Sequence, residues 1–178
     1  MKFGQLRNII TISALAIVSA VPSYAASVAN KSSQSKDYIT GYVGYFDVIR
    51  NNQETAQFGL EYRAKPFQYN IRPIAGVNVT ADSAVYGYVG LNWEAPLIDN
   101  QLYLIPNFAA GLYRKGDGKE LGGPIEFRSG LELAYQFPNS HRLGLAFNHI
   151  SNASIYNHNP GSETLLVTYS VPMDNFGY

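Results

Sequence analysis

The chain has 178 residues, with 13 Lys and Arg balanced by 13 Asp and Glu, three His and no Cys. That balance gives no electrostatic reason to expect nucleic acid as a partner, and the lack of Cys excludes disulfide staples and a thiolate nucleophile. Tyr is abundant at 14 residues, and its apolar ring with a polar tip suits a membrane interface.

Residues 1–25 read as an export signal. Lys2 and Arg7 form a positive n-region, Ile9 to Val21 an uncharged apolar run, and Ser23-Tyr24-Ala25 places small residues where a signal peptidase reads. The run is shorter than the roughly 20 residues of a membrane-spanning helix, and a polar stretch follows it. Cleavage after Ala25 leaves 153 of the 178 residues, and loss of Lys2 and Arg7 leaves 11 basic against 13 acidic side chains. Residues 26–37, rich in Ser, Ala, Asn and Lys, read as a flexible leader, and 38–178 as one domain.

From Tyr38 onward the chain breaks into alternating runs separated by Gly, Pro, Asn and Asp clusters. Eight strands are predicted, at about 38–48, 56–64, 71–81, 84–93, 102–113, 124–136, 142–151 and 163–171. In the second, Phe58, Leu60 and Tyr62 share one parity while Gln57, Glu61 and Arg63 share the other. In the sixth, Ile125, Phe127, Leu131, Leu133 and Tyr135 oppose Glu126, Arg128 and Glu132. Leu143, Leu145 and Phe147 form the apolar parity of the seventh, and Leu165, Val167, Tyr169 and Val171 that of the eighth. Each run is about long enough to cross a bilayer as a tilted strand, and an even number of strands closes into a barrel without an edge. The expected fold is therefore all-β, an eight-stranded antiparallel transmembrane barrel of the outer-membrane type. The competing architecture is a soluble sandwich or lipocalin-like barrel, in which the apolar parity would face inward. With periplasmic termini, the connections at 49–55, 82–83, 114–123 and 152–162 are expected outside the cell, and those at 65–70, 94–101 and 137–141 in the periplasm.

His149 and Ser151 stand two apart on the seventh strand, so they share a face with Cα atoms roughly 7 Å apart. An imidazole can bridge that gap, making His149 a candidate general base and Ser151 a candidate nucleophile for acyl transfer. Glu163 opens the eighth strand and can orient the imidazole across the hairpin. All three fall on the parity assigned to lipid, where polar groups are costly, and a cluster of them at one level reads as a functional site. The competing reading is a small structural or adhesion barrel whose work lies in its loops. An acyltransferase is a third, but it would need an acceptor site that the residues do not reveal.

The segment His149-x-Ser151-Asn152-Ala153, followed by Asn159-Pro160-Gly161-x-Glu163 at the head of the last strand, resembles the lipid A 3-O-deacylases of the PagL type. The resemblance is specific over about 145–171. It implies hydrolysis of the ester at the 3-position of lipid A, by a lipopolysaccharide-modifying enzyme in the outer membrane that needs no metal or other cofactor. It makes Ser151 the nucleophile, His149 the base and Glu163 its orienting partner. Asn159, with backbone near Ala153 and Asn152, is implied as oxyanion or substrate contact. A homodimer is compatible with the resemblance, which names no interface.

Other residues carry weaker signals. His158 reads as a solvated loop residue and His141 as a turn residue. The three His are scattered and no carboxylate pair has ligand spacing, so a metal site is not expected. Arg114, Lys115 and Lys119 are candidates to meet lipid A phosphates or core sugars. Pro172 and Asp174-Asn175 interrupt the alternation before the terminal Tyr178, so the last strand is expected to end near Val171.

Overall fold

The computed structural model describes residues 36–50, 52–98 and 100–176. The expected signal peptide, residues 26–35 of the expected leader and Tyr178 lie outside the described residues. The strands are β1 (Tyr38–Phe46), β2 (Thr55–Arg63), β3 (Ile71–Thr80), β4 (Val85–Trp93, continued by Ala95–Ile98), β5 (Leu102–Arg114), β6 (Ile125–Gln136), β7 (Arg142–Ser151) and β8 (Ser162–Pro172). Every neighbour is antiparallel, and β1 closes the ring on β8 from Tyr38↔Pro172 to Phe46↔Thr164. No helix among the described residues is long and apolar enough to cross a membrane, and the crossing elements are the strands.

Alternation decides which face meets which medium. Phe58, Leu60, Val89, Leu91, Leu131, Leu133, Leu145 and Val167 are exposed on the outer wall, whereas Gln57, Glu61, Arg63, Arg72, Glu126, Arg128, Glu132 and Arg142 are buried inside. A soluble barrel would show the reverse, so the outer-membrane expectation holds. Tyr62, Trp93, Tyr135 and Tyr169 also face outward, all near the strand ends that carry the short connections, and form an aromatic girdle there.

Most of the charges in the lumen are paired, Glu126 being buried without a hydrogen-bond partner among the described residues. Near the short-turn end, Glu94 takes Arg72 at 3.0 Å and Arg142 at 2.5 Å, with the Arg142 guanidinium 4.6 Å from the Tyr38 ring centre and 4.4 Å from that of Tyr103. Midway, Arg63 bridges Glu61 and Glu132, both at 2.7 Å, and Arg128 meets Glu61 at 2.9 Å. Such groups would be costly in the barrel if a partner were missing, and Glu61, Glu94 and Glu132 each have an arginine within 3.0 Å.

The fourth strand differs from expectation. Residues 94–101 were expected as a turn, yet β4 holds one register on β5 from Val85↔Arg114 through Asn92↔Asn107 to Ala95↔Leu104. Glu94 looks like a turn residue by composition, but its carboxylate is the inward partner of two arginines. Pro96 interrupts the ladder only locally, where the register shifts between Pro96 and Ile98. At the other chain end β8 runs to Pro172, after which Met173–Phe176 turns away as a short 3-10 helix.

Candidate active site

The site is built on the last three strands, where register places side chains that sequence spacing alone cannot. Ser129 of β6 lies directly across from His149 of β7, and His149 directly across from Glu163 of β8. All three belong to the outward parity. His149 Nδ1 lies 3.0 Å from Glu163 Oε1, a hydrogen bond in which the ring nitrogen donates to the carboxylate. The imidazole side chain is 42% exposed and the glutamate only 13%, so the carboxylate sits behind the ring and the ring faces outward. Glu163 Oε2 is buried with no hydrogen-bond partner.

With Nδ1 turned to Glu163, the other ring nitrogen, Nε2, takes no part in that bond. Ser151 is the last residue of β7, opposite Phe127, on the same parity as His149 and half-buried. Its hydroxyl is bonded to no side chain among the described residues, so the serine and histidine share one face without a hydrogen bond between them. Such contacts commonly tighten only when substrate is bound.

The connection after Ser151 is folded against the barrel by one buried amide. Asn152 Nδ2 donates to the carbonyls of Leu121 and His158, both at 2.8 Å, and its Oδ1 accepts from Ser154 N at 3.0 Å. Its own N–H donates to Asn159 Oδ1 at 3.1 Å. The Asn152 side chain is fully buried and its N–H engaged, so these bonds shape the loop that follows Ser151. Ala153 and Ser154 both adopt positive φ, 52° and 62°, which curls the chain after Ser151. The Ala153 N–H meets no acceptor among the described residues. Asn159 is exposed, and its Nδ2 reaches Ser154 Oγ at 3.3 Å.

The 115–124 connection covers the same end of the lumen. Leu121 is fully buried, and Lys119 Nζ donates to Asp47 Oδ1 at 2.5 Å. Burial pushes the Asp47 carboxyl up, but the Lys119 ammonium and the N–H groups of Gln53 and Asn52 outweigh it and hold the group below its usual range. Lys119 is thereby withdrawn from the lipid phosphates it was expected to meet, because its charge is spent inside. Arg114 and Lys115 remain exposed, Lys115 3.4 Å from Glu120. His158 is an exposed loop residue, and His141 Nδ1 lies 2.8 Å from Tyr169 Oη at the opposite end of the barrel. Among the described residues no group of three His, Asp or Glu is placed to hold a metal.

Tyrosines aside, the outward positions of the eight strands carry only five polar side chains: Arg114 at the very end of β5, then Ser129, His149, Ser151 and Glu163. The last four adjoin one another. Ser129 was missed from the sequence, although a gap in the apolar series between Phe127 and Leu131 marks it.

A family model described as lipid A 3-O-deacylase (PagL) matches residues 56–172. No curated protein matches the chain significantly. Among solved structures, the crystal structure of the outer membrane enzyme PagL superposes with a TM-score of 0.56 at 16% identity, covering 76% of this chain and 99% of that one. A de novo designed transmembrane β-barrel superposes with a TM-score of 0.50 at 16% identity, covering 77% of this chain and 96% of that one. At these identities the superpositions show the fold.

Proposed function

This chain belongs to the lipid A 3-O-deacylase (PagL) family and is an outer-membrane β-barrel, and on that premise we propose that it hydrolyses the 3-O-linked acyl ester of lipid A by a Ser-His-Glu mechanism. The observation that carries this reading is the His149–Glu163 hydrogen bond on the outer wall, with Ser151 one step along the same face. Glu163 fixes the imidazole with its proton on Nδ1, leaving Nε2 basic. Nε2 takes the Ser151 hydroxyl proton as Oγ attacks the ester carbonyl. The resulting oxyanion is met by the curled backbone at Ala153 and by the amide of Asn159. Collapse breaks the bond to the sugar 3-oxygen, which leaves with the proton from Nε2. Water, deprotonated by the same nitrogen, then releases the acyl chain from Ser151 as a carboxylate.

A site on the outer wall suits a substrate that arrives by lateral diffusion. We place the long connections outside the cell, so that the site lies at the level of the outer leaflet where lipid A resides. The site is completed by one chain, so a homodimer is not required for the chemistry.

Mass spectrometry of lipid A from cells expressing the wild type and Ser151→Ala tests the reading. The expected result is loss of one 3-hydroxyacyl chain with the wild type only. Unaltered lipid A with both, from correctly folded protein in the outer membrane, would leave the non-enzymatic barrel as the better reading. An active Ser151→Ala would remove Ser151 as nucleophile.

A further inference from the structure

Resting on the deacylase reading, we infer that Ser129 is a substrate-binding residue that reads the hydroxyl on the third carbon of the acyl chain. Residues directly opposite on antiparallel strands bring their Cβ atoms to about 4.5–5.5 Å, so the Ser129 side chain adjoins the His149 imidazole on the flank away from Glu163. Its other neighbours are apolar. Phe108 lies directly across on β5, and Phe127 and Leu131 lie above and below on β6. Phe108 and Phe127 stack with ring centres 6.2 Å apart. Ser129 is exposed on this wall, and its hydroxyl meets no partner among the described residues. In a hydrocarbon setting a hydroxyl without a partner is unfavourable, and the partner that can come to it is a polar group carried by the lipid itself.

The levels of the wall identify that group. Ser151 marks the position of the scissile carbonyl, and the polar sugar stays beside the loops that follow it. The acyl chain runs the other way, along Phe147, Leu131 and Leu145, all exposed toward the membrane. Ser129 stands in the His149 row, two residues deeper than Ser151, a step of roughly 7 Å along the strand. Side chains reaching toward each other shorten that step. The first polar substituent beyond the carbonyl on a 3-hydroxyacyl chain is the hydroxyl two carbons away, and it falls between the two serine levels.

The test uses full-length protein refolded in detergent and two glucosamine 3-O-esters of equal chain length, one 3-hydroxyacyl and one plain acyl. The wild type is expected to favour the hydroxyacyl ester in kcat/KM. Ser129→Ala is expected to lose about tenfold on that ester and to keep its rate on the plain one. Ser129→Thr, which restores a hydroxyl, is expected to recover the preference. Equal losses on both esters would overturn the inference, since that is the signature of a role exerted through His149 or the fold. An unchanged preference in Ser129→Ala would overturn it as well. If the wild type cleaves neither ester, the deacylase reading itself fails and this inference falls with it. Folding of each variant is read from its heat-modifiable migration, which removing a lipid-facing hydroxyl should leave unchanged.

Discussion

Gly161 lies against the imidazole of His149 so closely that a methyl on its α-carbon would stand 3.0 Å from Cε1 and 3.6 Å from Nε2. Its φ of 62° also falls in the left-handed region that side chains disfavour. The Pro160 carbonyl beside it accepts a hydrogen bond from Arg50, which ties this strap to the β1–β2 connection. Gly161→Ala should therefore displace the ring from Glu163 and crowd Nε2, the nitrogen proposed to take the Ser151 proton. A fall in kcat of about tenfold or more, with KM little changed, is expected from kinetics on micellar lipid A. Wild-type kcat in a folded Gly161→Ala protein would show that the contact is incidental.

Glu163→Gln keeps the shape of the side chain but offers His149 an amide in place of a carboxylate. The ring then loses the partner that sets its tautomer and steadies the imidazolium. A loss of about 10²–10⁴ in kcat is expected, with substrate binding preserved. Steady-state assays alongside His149→Ala make the comparison, and an active Glu163→Gln would remove the carboxylate from the mechanism.

Asp47 and Lys119 give the loop cap a measurable acid limit. The Asp47 carboxyl is held below its usual range once folded, so its stabilisation is complete above the unfolded pKa. It is lost as pH falls through the depressed folded value. The cap should therefore hold at neutral and mildly acidic pH and loosen only in stronger acid, as read by an acid-active protease cutting within 115–124. Lys119→Met takes the ammonium from a buried carboxylate that keeps the N–H groups of Asn52 and Gln53, and should cost about 1.5–3 kcal/mol in urea unfolding, with more nicking at neutral pH. Adding Asp47→Asn to that variant should recover part of the loss.

Arg114 and Lys115 are the exposed cations on the 115–124 side of the rim. Arg114→Gln with Lys115→Gln is expected to raise KM severalfold for phosphorylated lipid A and to leave the dephosphorylated substrate unaffected. Equal kinetics on both substrates would assign those charges to solvation alone. Lys119 is left out of the pair because its ammonium is already committed to Asp47.

The fold was readable because a strand in a small barrel must choose a face at every residue. Leu143, Leu145 and Phe147 against Arg142, Gly144 and Ala146 state that choice without ambiguity, and the same parity carried His149, Ser151 and Glu163 to the wall. Ser129 escaped because one serine in an apolar series is unremarkable until β6 is set in register with β7, and register between strands is a three-dimensional fact. Glu94 and Pro96 imitate a turn by composition, and only the two arginines waiting inside explain why the strand continues. The partners of Asn152 beside Ser151 are loop carbonyls from residues 121 and 158, whose approach no local pattern announces.

The paired arginines and glutamates leave little free space within the wall: two of the cavities in the lumen measure only about 20 Å³ each. That is room for roughly a single water molecule. An enzyme that works on its outer surface has no need of a passage through its middle. Where the lumen is packed this closely it offers no wide passage, so a barrel working on its outer wall would leave the membrane's permeability barrier intact.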